Sequence, residues 1–193
     1  MFIISYFVEI FSGDLQSIIG QIIGIVAMIM AFISFQCKTQ KTIMYFQICA
    51  GLLFSIHFGL IGALSGMVLN GIAVPRAIIF SQRSKYKWAK SNFWVVFFIV
   101  ICCATYILPF TIYGTEPSLK NLLLEILPVI GMIATTVSFS MKKASSVRVF
   151  SLISSPAWLV YNLFHQSLGG VITECIVMIS IFIGMIRLDR NKN

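Results

Sequence analysis

Charged residues are scarce in this chain: only 10% of its 193 residues are Asp, Glu, Lys or Arg, whereas 59% are hydrophobic. A soluble domain of this length needs a charged surface that so few charges cannot supply. The chain also lacks the alternation of polar and apolar residues that marks amphipathic strands, because its apolar runs are long and nearly unbroken. The composition therefore predicts an all-α membrane protein with several spans.

The short motifs that mark common catalytic and nucleotide-binding sites are absent from the sequence. It contains no P-loop, no Rossmann glycine pattern, no G-x-S-x-G and no H-E-x-x-H. Its five cysteines form no C-x-x-C spacing and lie in or beside apolar runs, as is typical of small core residues: Cys37, Cys49, Cys102, Cys103 and Cys175. We therefore expect no enzyme, no cofactor and no metal site.

Seven apolar runs are long enough to cross a bilayer, which takes about 17–25 residues. They fall near residues 15–36, 42–61, 64–81, 92–112, 122–140, 147–165 and 168–186. The first run also carries Gly20 and Gly24 in a G-x-x-x-G pattern, which permits close helix approach. The residues before it are too short to span and lack the basic region of a signal peptide, so residues 1–14 are predicted to be an uncleaved interfacial segment.

Basic residues explain the net charge of +8 by their placement, without a nucleic-acid partner. Twelve of the fourteen follow the first, third, fifth or seventh run: Lys38, Lys41, Arg83, Lys85, Lys87, Lys90, Lys142, Lys143, Arg148, Arg187, Arg190 and Lys192. By the positive-inside rule, that side is cytoplasmic. The charge pattern and the odd number of spans predict an external N-terminus and a cytoplasmic C-terminus.

Two segments share one plan, which indicates an internal repeat. Residues 53–74 and 158–177 both run from an aromatic-rich helix through a short small-residue turn to a polar side chain three or four residues further on. Upstream, GIVAMIMAFISF (24–35) and GMIATTVSFS (131–140) each lead into a short basic loop. With Gly66 set on Gly170, three pairs become equivalent: Gly66 with Gly170, Asn70 with Glu174, and His57 with Tyr161.

The chain therefore reads as two parallel three-helix repeats joined by one linker helix, an arrangement known from transporters whose repeats are related by an axis along the membrane normal. The predicted segments are an N-terminal interfacial segment (1–14), a first repeat (15–81), a basic cytoplasmic loop (82–91), a linker helix (92–112), an external loop (113–121), a second repeat (122–187) and a cytoplasmic tail (188–193). In such proteins the site lies between the repeats, near the midplane.

Glu174 is the strongest site candidate, because a charge in mid-span costs about 2.5–3.5 kcal/mol and is expected to face protein or water. Asn70 becomes a stronger candidate because it is the repeat equivalent of Glu174. The polar or aromatic side chains of Trp158, Tyr161 and Asn162 can line a cavity. The alternatives are a structural carboxyl for Glu174, a helix-packing amide for Asn70 and ordinary packing for the other three.

A second group of residues is predicted to form a gate or hinge: Pro75, Arg76, Pro128 and Pro156. For Arg76, the simpler interpretation is that its side chain reaches the headgroup region. His57 and His165 fall near the outer ends of their spans without an evident carboxylate or thiolate partner, so interfacial hydrogen bonding is favoured over metal binding.

Several segments resemble the YgjV-type bacterial inner-membrane proteins: ILPVIGMIATTVSF (126–139), WLVYNLFHQSLGGVITE (158–174), IGMIRLDR (183–190) and HFGLIGALSGMVLNGI (57–72). The resemblance implies the bacterial cytoplasmic (inner) membrane and a multi-pass architecture. That family is in turn distantly similar to the SWEET, semiSWEET, PQ-loop and PnuC-type transporters. The likeness implies that Asn70 and Glu174 match substrate-facing positions and that Trp158 matches a pocket tryptophan. The group's proline–glutamine hinge is missing here, since Phe35 precedes Gln36.

Two functions from different classes follow. The first is a small-solute transporter or facilitator with its site between the two three-helix bundles and a small polar solute as ligand. The second is a non-transporting accessory, sensor or assembly protein, whose intramembrane polar groups serve only packing. The lipid bilayer is the expected partner of either, and the sequence leaves a homo-oligomer open.

Overall fold

A computed structural model of the protein describes residues 14–36, 40–141 and 144–184, without the side chains of residues 35–36, 40–44, 84, 144–148 and 183–184. This described part is helical and contains no strand. Its seven long helices are α1 (Leu15–Gln36), α2 (Gln40–Leu60), α3 (Leu64–Ser81), α4 (Phe93–Thr105), α5 (Leu119–Ser140), α6 (Ala144–Phe164) and α7 (Leu168–Gly184). One further helical turn, Leu108–Thr111, continues α4, and two short 3₁₀ turns connect α3 to α4.

The seven helices coincide with the seven predicted runs to within a few residues. Four stretches are long and apolar enough to cross a membrane, judged by length and composition: Leu15–Ser34, Leu64–Ser81, Phe93–Thr111 and Leu119–Ser140. The other three helices hold shorter apolar stretches: Tyr45–Leu60, Val149–Phe164 and Leu168–Phe182. Helices are the expected solution, because lipid offers no hydrogen-bond partners and an α-helix satisfies its backbone internally. The prediction of a multi-span helical membrane protein is confirmed at this level.

The helices pack in a closed order. Helix α1 packs on α2, α2 on α3, α3 on α5, α5 on α6, α6 on α7, and α7 returns to α1. Helix α4 lies outside this ring against α3 and α5. The ring leaves an interior to which six of the seven helices can contribute side chains, and α4 is the helix that stands apart from it.

The turns after α2 and α6 have the same backbone geometry. Gly62 and Gln166 each adopt a left-handed conformation, with φ of 76° and 53°. In each turn the amide of the next residue donates to the carbonyl five residues back, at 2.8 and 2.9 Å, which is the bond of a Schellman cap. Both turns thus reverse the chain at the same end of the ring, although only one of them uses glycine.

Helices α1 and α7 approach each other closely through glycines. A Cβ atom added to Gly169 would collide with the backbone carbonyl of Gly24, and one added to Gly24 would meet the His57 ring at 2.7 Å. The close approach predicted from the G-x-x-x-G pattern is therefore present on both sides of α1, toward α2 and toward α7.

Some predicted segments lie outside the described residues. Apart from Asp14, the interfacial segment 1–14 is one of them, and the cytoplasmic tail 188–193 is another. Asp14 is the first described residue, and its carboxylate accepts a hydrogen bond from the Ser17 amide at 3.0 Å, as an N-cap of α1.

Candidate functional site

A cavity of about 240 Å³ lies inside the ring, bordered by α2, α3, α5, α6 and α7. Five of the residues selected from the sequence line it: Asn70, Arg76, Trp158, Asn162 and Glu174. The wall also includes residues that were not selected, among them Phe54, Phe58, Thr135, Ser154, Ser155 and Thr173. Its volume is below the range of drug-sized ligand sites, which starts at roughly 300 Å³, so it suits a small solute.

Asn70 and Glu174 face the same cavity from α3 and α7. The Asn70 amide donates to the Gly66 carbonyl at 2.9 Å, one turn earlier in its own helix. This bond uses the amide NH₂ group and leaves the amide oxygen as an acceptor. The Glu174 carboxyl interacts with the hydroxyl of Ser155 on α6. The wall therefore offers a neutral acceptor on one side and a carboxyl group on the other.

Arg76 also lines the cavity, and the interpretation that it reaches the headgroups is wrong. Its side chain is only 5% exposed. Its Nη1 atom lies within hydrogen-bond distance of three acceptors, the Thr136 hydroxyl at 2.7 Å, the Thr135 hydroxyl at 3.0 Å and the Met132 carbonyl at 3.1 Å. Because these acceptors on α5 surround it within the ring, the guanidinium group stays inside the protein.

Aromatic rings form one wall of the cavity. The Trp158 and Phe58 rings are stacked with centroids 6.1 Å apart, and the Phe58 and Phe54 rings are stacked at the same separation. A Cβ atom on Gly131 of α5 would meet the indole of Trp158 at 2.6 Å. The absence of a side chain at Gly131 therefore lets the indole pack closely against α5, beside the cavity.

Tyr161 does not line the cavity but bonds across the ring, and His57 makes a matching bond in the opposite direction. The Tyr161 hydroxyl on α6 accepts from the Gly66 amide at 2.9 Å, in the first turn of α3. Nε2 of His57 on α2 lies 2.7 Å from the hydroxyl of Ser167, which directly precedes α7. Nδ1 of His57 lies 2.7 Å from the Gly20 carbonyl and must donate to it, so Nε2 of a neutral ring accepts from Ser167.

These reciprocal bonds lie deep in the protein. His57, Tyr161 and Ser167 are each 0% exposed. The hydrogen bonding expected of His57 near the outer end of its span is present, and its partners lie on α1 and at the start of α7.

Gln21 adds a third cross-link at the same end of the ring. Its amide donates to the Gln166 carbonyl at 2.7 Å and its carbonyl accepts from the Leu168 amide at 3.2 Å. Gln21 thus satisfies two backbone groups of the turn between α6 and α7. Sequence reasoning missed this residue, although the repeat register that equates Gly66 with Gly170 also equates Gln21 with Glu125.

His165 has a carboxylate neighbour, contrary to the expectation. Its Nε2 lies 3.6 Å from Oε1 of Glu125, and its ring centroid lies 4.3 Å from that of Tyr161. Glu125 is only 7% exposed. This pair could not be predicted from the sequence, because forty residues separate the two groups. The packing of α5 on α6 brings them together.

The three prolines stand apart from the cavity wall. Pro75 lies inside α3, Pro128 inside α5 and Pro156 inside α6. Pro128 is buried, whereas the other two are exposed. Their role as hinges, like the binding role of the cavity residues, stays a prediction.

Residues 18–192 match the profile of the Imp-YgjV family, which is described as a bacterial inner membrane protein family. The match covers most of the chain, so the protein belongs to this family and is an integral protein of the bacterial inner membrane. Neither the curated proteins nor the solved structures yield a significant match to it.

Proposed function

We propose that this inner-membrane protein transports or facilitates the passage of a small solute through the cavity between two three-helix halves, α1–α3 and α5–α7. The observation that carries the proposal is that Asn70 and Glu174, which occupy equivalent positions of the predicted sequence repeat, line the same cavity. Intramembrane polar residues that face a common cavity are typical of solute pathways.

Three features of the helical ring support the two halves as repeats. In the predicted repeat, α7 is the equivalent of α3, and α1 is the equivalent of α5. Helix α3 contacts α5, and the equivalent pair, α7 and α1, is also in contact. The turns after α2 and α6 share one cap geometry. His57 and Tyr161, which the repeat equates, each bond to the start of the last helix in the opposite half. Such exchange of equivalent bonds is what a pseudo-twofold relation produces.

The orientation that follows from the basic residues gives the cavity a direction. With the N-terminus external, the bonds of His57 and Tyr161 lie at the external end of the ring. The cavity wall extends away from them to Arg76 and Ser151, toward the end with the basic loops. We infer that the protein adopts an inward-facing arrangement, in which the external end is closed by polar cross-links.

Transport is tested by reconstituting the protein in liposomes and surveying the uptake of sugars, nucleosides, vitamins and amino acids. Glu174→Gln is expected to lower uptake of the transported solute roughly ten- to a hundred-fold, because the carboxylate forms a charge-assisted contact that the amide cannot replace. If Glu174 takes up and releases a proton during the cycle, uptake depends on pH and the Gln variant loses that dependence.

Glu116→Gln serves as the matched control, since Glu116 is exposed in the connection before α5. Its uptake is expected to equal that of the unmodified protein. Absence of flux for every solute, with Glu174→Gln causing no growth phenotype, would refute transport. A stoichiometric partner that is lost on mutation of one helix face would then favour the accessory function.

Breaking the external cross-links should open the cavity to the outside. In a cysteine-free background, Asn70→Cys is expected to react slowly with a membrane-impermeant thiol reagent added from the periplasmic side. Tyr161→Phe removes the acceptor of the Gly66 amide, which costs about 1–3 kcal/mol when the donor stays buried, and is expected to accelerate the labelling. Tyr113→Phe, on an exposed residue, is the control, and equal labelling rates in both variants would contradict the closure.

A further inference from the structure

An arginine and a glutamate side chain line one cavity without forming an ion pair. Arg76 on α3 and Glu174 on α7 both belong to the wall. In the described part of the chain, the ion pair within 4.0 Å joins His165 to Glu125. No carboxylate oxygen of the described residues lies that close to an Arg76 nitrogen. Burying an ionisable group within the membrane costs free energy. Without a salt bridge, neither Arg76 nor Glu174 offsets this cost for the other.

The guanidinium group still has unused donor capacity. Its Nε atom is fully buried and has no hydrogen-bond partner in the described part of the chain. The groups around Nη1 on α5 are neutral: two hydroxyls, one carbonyl and the Met132 sulfur. A guanidinium group with an unpaired donor suits a carboxylate, because hydrogen bonds between these two charged groups are among the strongest in proteins.

The other side of the cavity suits a cation. Glu174 supplies a carboxyl group, and Asn70 supplies an amide oxygen from the facing helix. The stacked rings of Phe54, Phe58 and Trp158 add aromatic faces, which attract ammonium groups and accept apolar side chains. Helix geometry puts Arg76 about 9 Å along α3 from Asn70, since six residues separate them at 1.5 Å each.

From this arrangement of groups we infer that the ligand of the cavity is a small zwitterion of the amino-acid class, with its carboxylate on Arg76 and its ammonium group on Glu174. The inference rests on the proposed function and names its substrate class. A sugar or a nucleoside could hydrogen-bond to both groups but would bring an opposite charge to neither, whereas a zwitterion brings one to each and carries no net charge across the membrane.

Ligand binding to the purified protein in lipid nanodiscs tests the assignment without a variant. The standard L-amino acids and γ-aminobutyrate are tested one at a time by the rise in melting temperature, beside glucose and uridine. The best binder is then compared with its amide, which lacks the carboxylate, and with its N-acetyl derivative, which lacks the ammonium group. Each analogue is expected to bind roughly ten- to a hundred-fold more weakly, because each loses one charge-assisted contact.

Two variants then connect each charge to its partner. Arg76→Gln is expected to lower the affinity for the zwitterion to that for its amide. Glu174→Gln is expected to lower it to the affinity for the N-acetyl derivative. Arg83→Gln removes the same type of charge outside the cavity wall and should change none of these affinities. If Arg76→Gln fails to fold, Arg76→Lys keeps the charge but loses the planar fork, and it should reduce binding by a smaller factor.

The outcomes separate this inference from transport itself. Binding confined to glucose or uridine, or equal binding of the amino acid and both analogues, overturns the zwitterion assignment and leaves transport standing. Zwitterion binding without flux in liposomes supports the assignment and refutes transport. Absence of binding for every zwitterion overturns the inference.

Discussion

Replacing Gly169 with alanine is expected to lower the free energy of unfolding by about 3 kcal/mol, at the upper end of the range for overpacking. The added methyl group would collide with the carbonyl of Gly24 on the neighbouring helix. A flexible side chain could turn away, but a backbone carbonyl cannot move without displacing α1 or α7. The variant should therefore separate these helices or fail to accumulate in the membrane.

Gly51→Ala is the matched control for this effect. A Cβ atom at Gly51 would meet the Val74 side chain at 3.4 Å, which is ordinary van der Waals contact. Because alanine favours a helix over glycine by about 1 kcal/mol, this variant should be as stable as the unmodified protein or slightly more stable. Thermal unfolding in detergent compares the two, and equal melting temperatures would show that α1 and α7 do not approach as closely as described.

Replacing Arg76 with methionine is expected to reduce solute binding at least tenfold while leaving stability unchanged or raising it by about 1–3 kcal/mol. The acceptors that Arg76 uses keep other partners, since the hydroxyls of Thr135 and Thr136 both donate to the Met132 carbonyl. Removal of the guanidinium therefore leaves no buried donor unpaired and removes a charge that is costly within the membrane.

Opposite changes in binding and stability would identify Arg76 as a functional charge. The measurement pairs ligand affinity with the melting temperature of the same nanodisc sample. Lys87→Met, on an exposed residue in the connection between α3 and α4, should change neither quantity. A large loss of stability in Arg76→Met, with binding retained by the folded fraction, would instead make Arg76 a structural link between α3 and α5.

The positions of the helices could be predicted from the sequence because hydrophobic length is a local property. Each of the seven apolar runs corresponds to one long helix. The kink-capable Pro75, Pro128 and Pro156 lie within helices, as predicted. Burial around a single side chain is not a local property, so the orientation of Arg76 into the ring could not be read from its place near the end of its span.

The candidate site was predictable in part, through the predicted repeat. The register that equates Asn70 with Glu174 identified two residues of one cavity, although they are far apart in the sequence. The same register also equates Phe54 with Trp158, which both line the cavity, but single aromatic residues are too common in apolar runs to be selected. Ser155, which interacts with Glu174, carried no signal, because the sequence does not reveal which serine of a helix faces the interior.

The crossed bonds of His57 and Tyr161 have a consequence for how the proposed halves depend on each other. Two copies of the first half would set His57 opposite Ala63, the repeat equivalent of Ser167, and alanine has no hydroxyl to bond the imidazole. Two copies of the second half would set Tyr161 opposite the Gly170 amide, which already has the Ser167 hydroxyl as its acceptor at 3.2 Å. Each half is therefore built to fit its unlike neighbour. A chain cut in the loop between α3 and α4 should regain its fold only when both fragments are supplied together.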